Sequence, residues 1–297
     1  MQPLKQDSLI HTICLMAFFS AINVICSLLT VFVPLLSIIL IIFLPLTSAI
    51  VEINCKDRWF PIYALATIGL SVVVSLSSID FTLFYVVPSI LTGYIFGLIS
   101  KRAIPDMFGI FLAAIVQTVV SFIFVPIIEA ITERNLIDDI AKIFHISNRF
   151  FYDNAIILIF FIVSLIQVIL SFIVVDGELK ALGIKERKNE KNDFYASDAC
   201  ILVGALTPFL ARFYLPVAYL FVGICYFFAT FVVIDHIKAK QKLLITLDGI
   251  SILITIFVYA GVNQFLIEGI DLVLLGIAPV LIACISMVHY FLKKSKE

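Results

Sequence analysis

Charged residues are scarce in this sequence. They make up 14% of the 297 residues, where a soluble domain carries about 25%. The deficit is uneven: no charge falls between Asp7 and Glu52, which is room for two membrane spans of roughly 20 residues each. A soluble globular fold is thereby excluded. Catalytic motifs are missing too. There is no H-E-x-x-H, no G-x-S-x-G elbow and no twin-glutamate-plus-histidine set in the apolar stretches, so no enzyme is expected. Without a Walker motif the chain cannot drive transport with ATP by itself, and without an arginine ladder it is not a voltage sensor. The six cysteines lack C-x-x-C spacing and read as small apolar fillers. None of His11, His145, His236 and His289 stands at ligand spacing from a Cys, Asp or Glu, so no metal, and no other cofactor, is expected. No A-x-A-like cleavage site follows the first apolar run, and a second run follows at once. That run therefore reads as a first transmembrane helix and not as a signal peptide. No nucleic-acid partner is expected.

What the sequence does hold is apolar: 62% hydrophobic residues with 28 Phe, and a mean hydropathy of +1.16. The expected fold is all-α and polytopic, with about ten transmembrane helices at 8–30, 35–53, 60–77, 81–100, 107–128, 155–175, 196–211, 214–234, 243–262 and 271–292. Trp59 suits an interface position. Residues 130–153 alternate apolar and charged positions at helical spacing and predict an amphipathic helix that lies on the membrane or caps the bundle. The longest polar run, 176–192, divides a first domain (1–175) from a second (193–297). Basic residues orient the chain. With a cytoplasmic N-terminus, only Arg134, Lys142, Arg149 and Arg212 fall outside, leaving sixteen of the 20 inside, which predicts that both termini are cytoplasmic.

Small and polar residues mark candidate contacts. Gly93 and Gly97 lie four apart in Y-V-V-P-S-I-L-T-G-Y-I-F-G-L-I-S-K-R, where a second backbone can approach closely. Ala17 and Ala21 repeat that spacing in the first span. Asn23, Gln117 and Gln167 lie inside spans, where polar groups are costly and bond between helices. Glu52, Asp80, Glu129, Asp198 and Asp271 sit at span ends, where headgroup exposure is the simplest reading, and Asp248 sits near one end of its span.

The order of these features resembles a known family. The first span reads L-M-A-F-F-S-A-I-N-V-I; the tight Val33-Pro34 turn follows; the second span ends in a polar patch; the fourth carries P-S-I-L-T-G-Y-I-F-G. This resembles the substrate-binding S components of energy-coupling-factor (ECF) transporters, and the YybS-like bacterial membrane proteins that are similar to them. The resemblance covers about 8–175. It implies a six-helix bundle with both ends cytoplasmic, in a bacterial plasma membrane. It also implies contact of Ala17 and Ala21 with a membrane coupling subunit that works with ATPases. A small molecule or lipid would sit toward the outer side, near Asp80, Tyr85, Gln117 and Glu129. Four further spans after 192 depart from a plain S component and favour the YybS-like reading. Two alternatives stay open: a self-contained secondary transporter with a five-plus-five inverted repeat, and a scaffold that recruits a cytoplasmic partner through 176–192.

Overall fold

The computed structural model describes residues 9–76, 79, 82–102, 104–133, 135, 138–139, 142, 149–182, 192–262 and 271–295. Among these the regular structure is entirely helical. Among the described residues eight helices are long and apolar enough to cross a membrane, and 39–54 and 277–293 are shorter apolar helical stretches. The chain divides into two compact units, Met1–Asp139 with Ile162–Lys188, and Ile140–Phe161 with Asn189–Glu297.

The first unit opens with α1 (Leu9–Phe32) and α2 (Pro34–Asn54). Pro34 has no N–H to continue α1 and suits the first turn of α2, so the chain turns there with Val33 alone between the helices. A single 3-10 turn, Asp57–Trp59, leads into α3 (Phe60–Val74). A π-turn over Thr82–Val86 then precedes α4 (Val87–Lys101). The sequence predicts one regular helix over 81–100. The wide turn has a local cause: Pro88 cannot donate to the carbonyl of Phe84, so the ladder slips there. Then α5 (Asp106–Thr132) carries Pro126 inside and ends at Glu133 in the left-handed region, φ 55°. The long α6 (Arg149–Ala181) runs past the expected 155–175, because Asp176 and Lys180 pair at i,i+4 (2.7 Å) and extend the helix. Its residues up to Phe161 belong to the second unit and those from Ile162 to the first. Most of the expected amphipathic helix at 130–153, and the run 183–191, lie outside the described residues.

The second unit adds α7 (Asn192–Phe213), α8 (Leu215–Lys238), α9 (Lys242–Val262), the short α10 (Asp271–Leu274) and α11 (Ile277–Lys294). α7 is longer than the predicted 196–211. The single span predicted over 271–292 is instead broken at Leu275–Gly276. Pro279 lacks the N–H that the Leu275 carbonyl would accept in a continuous helix. The Tyr226 hydroxyl donates to that carbonyl at 2.9 Å.

Candidate functional site

In the first unit, α1 and α3 are joined by a polar seam. Tyr63, Thr67 and Ser71 on α3, and Ser75 at its C-terminal cap, recur every fourth residue, and all are buried. Asn23 on α1, fully buried, donates through Nδ2 to the Tyr63 hydroxyl (2.8 Å) and accepts from Thr47 of α2 (2.9 Å). Thr67 donates to Ser20 (2.9 Å) and Ser27 to Ser71 (3.3 Å). Ser75 and Thr82 close the series with a hydroxyl contact. Every member has a partner, so the seam fixes one packing of three helices. Tyr63→Phe leaves the buried Asn23 donor without its partner. That should lower stability in detergent by about 1–3 kcal/mol, read as a shifted thermal melt, with Asn23 and Thr47 untouched.

The opposite side of the same pair forms an apolar groove of about 490 Å³. Ala17, Ala21 and Ala66 keep it open between Ile13, Ile25, Ile62 and Leu70. Ala17 and Ala21 are exposed on its surface. Ser20 and Tyr63 touch both seam and groove, which makes the groove a rigid surface.

Along α4, the two glycines meet α2. A Cβ on Gly93 would collide with the Pro45 carbonyl oxygen and come within 2.6 Å of Ser48 Cβ. On Gly97 it would come within 2.5 Å of Glu52 Cβ and 3.1 Å of the Ala49 carbonyl oxygen. The rising order of both pairs means that α2 and α4 run parallel. The contact ends in charges. Lys101 Nζ donates to Glu52 Oε1 (2.7 Å), Asp57 Oδ1 (2.7 Å) and the Cys55 carbonyl (3.0 Å), and Arg102 donates to Asp57 Oδ2 (3.0 Å). Glu52 is 1% exposed, and its Oε2 has no hydrogen-bond partner among the described residues. Arg58 lies over the Trp59 ring at the same end. The simple headgroup-exposure reading of Glu52 is therefore corrected: the helix contact encloses it.

The chain matches no protein-family model, no curated protein and no solved structure. Its function is read from these residues alone.

Three of the four positions expected to bind substrate are among the described residues. Asp80 lies outside the described residues. Tyr85 is 38% exposed in the π-turn. Gln117 is buried at mid-helix, donating to Gln167 of α6 (2.6 Å) and accepting from Thr92 of α4 (3.4 Å). Glu129 is half-buried on the same helix, twelve residues further along, which is about 18 Å. The two amides tie α4, α5 and α6 together, and their capacity is largely used in doing so.

In the second unit the fold pairs a histidine that the sequence left alone. His236 Nδ1 and Asp248 Oδ2 lie 2.8 Å apart, both side chains 4% exposed, and Asp248 Oδ1 has no partner among the described residues. The separation of twelve residues hides this pair, because a tight turn between α8 and α9 makes it. Cys200 donates to the Cys225 and Pro279 carbonyls, while Cys225 donates to the Cys200 carbonyl; both act as buried packing groups. Among the described residues no cluster of His, Cys, Asp and Glu is placed to hold a metal ion.

Proposed function

We propose that this chain is a transport-related membrane subunit that receives a helix of a partner membrane protein in the α1–α3 groove and handles a small molecule or lipid. One observation carries the reading: Ala17 and Ala21 are exposed on the floor of a groove whose two helices are locked from behind. Helices in lipid associate by close packing over small residues, and a preformed surface loses little freedom on binding. This is also where the ECF S-component resemblance expects a coupling subunit that works with ATPases. In this reading both termini and 176–192 face the cytoplasm of a bacterial cell.

The double variant Ala17→Leu with Ala21→Leu tests it. Both positions are exposed, so the purified variant should melt like the parent, within about 0.5 kcal/mol. The membrane subunit that co-purifies with the parent in mild detergent should be lost. A parent protein that purifies alone, or a variant that keeps its subunit, overturns the reading. A second reading, a self-contained secondary transporter, is supported by one buried acid–base pair in each unit, Glu52–Lys101 and His236–Asp248. Ion-driven uptake by the purified protein alone in liposomes would favour it.

A further inference from the structure

Glu52, Cys55 and Asp57 place three oxygens around one point, at 2.7, 3.0 and 2.7 Å from the Lys101 ammonium that fills it. All three come from one short stretch, the end of α2 and the turn after it, so the cage does not need Lys101 to bring its walls together. The ammonium reaches in from the last residue of α4, and its side chain is 21% exposed. A second feature concerns the wall itself. Glu52 Oε2 is buried with no hydrogen-bond partner among the described residues, so this carboxylate has acceptor capacity that the lysine leaves unused.

We propose that this cage is a binding site for a monovalent cation, in which the Lys101 ammonium is a tethered occupant that a free cation can replace. Charge decides the class of ion. A monovalent ion in place of the Lys101 ammonium leaves the charge of the site as it is, whereas a divalent one would add a further positive charge beside Arg102, held on Asp57 Oδ2. Size narrows the choice further. The cage is spaced for an ammonium, and of the abundant alkali cations potassium is the nearest to it in radius. Carboxylate and carbonyl oxygens are the donors that hard cations take. Lys56 and Arg58 flank the turn and are exposed, while Lys101 and Arg102 are the cations that meet the carboxylates. The inference does not depend on the docking groove.

Two measurements test it. In the parent protein, labelling of Lys101 by an amine-reactive reagent is followed by mass spectrometry. Ionic strength is held constant while choline chloride is exchanged for potassium chloride. Labelling should rise at least about twofold and saturate, because an occupied cage releases the amine. In Lys101→Met, potassium should raise the detergent melting temperature by about 3 °C over choline; Glu52→Gln with Lys101→Met should lose that response. Labelling that is the same in both salts overturns the proposal even if Lys101→Met fails to fold. So does a potassium response that survives in the double variant, since the ion then binds elsewhere.

Discussion

Gly93→Leu should lose about 3 kcal/mol or more of stability, the top of the range for overpacking, and should scarcely yield folded protein. The obstacle is a backbone atom: any Cβ at this position meets the Pro45 carbonyl oxygen, which cannot rotate away as a side chain can. The α2–α4 contact must open, and the charges at its end separate with it. Gly97→Leu should cost about 1–3 kcal/mol, since there the first neighbour is the Glu52 side chain. Gly69→Leu is the control. A Cβ there meets nothing within 4 Å, so the change should stay within about 0.5 kcal/mol. Thermal melts of the three purified variants rank them. If Gly93→Leu melts with Gly69→Leu and the parent, the close approach of α2 and α4 is wrong.

Lys101→Met, measured with choline as the only added cation, should cost about 1–3 kcal/mol, because it leaves the buried Glu52 carboxyl to hold an unpaired charge or to take up a proton. Most of that loss should return in Glu52→Gln with Lys101→Met, where no unpaired charge remains. The non-additivity is the diagnostic. Loss of lysine packing alone would leave the double variant no better than the single one, and that result would remove the ion pair from the account of this contact. Asp57 is 44% exposed and retains Arg102, so Asp57→Asn should matter far less than Glu52→Gln.

Some of this was readable from sequence, and the reason lies in what each signal encodes. The glycine spacing encodes a close approach, since only a residue without a side chain permits one. It does not encode the partner, and α2 lies well before α4 in the chain. The run of Ala17 and Ala21 encodes a flat strip but not which side of α1 the protein covers. Glu52 and Lys101 each look like ordinary interfacial charges, and only the parallel course of α2 and α4 joins them. His236 and Asp248 are hidden in the same way by the α8–α9 turn. The break at Leu275 was legible in principle: Pro279 frees that carbonyl by rule, while the Tyr226 hydroxyl that takes it comes from another helix. The expected set of Asp80, Tyr85, Gln117 and Glu129 rested on position in a resemblance and not on a spacing in the residues themselves.

The parallel pairing of α2 and α4 also sets a clock on biogenesis. Glu52 and the lysine that neutralises it are 49 residues apart, which a ribosome covers in about 2–10 s at 5–20 residues per second. Throughout that interval α2 has left the exit tunnel with a carboxylate near its end, and the α4 surface that encloses it does not yet exist. The nascent chain must keep that end in the headgroup layer or against the insertion machinery until Lys101 emerges.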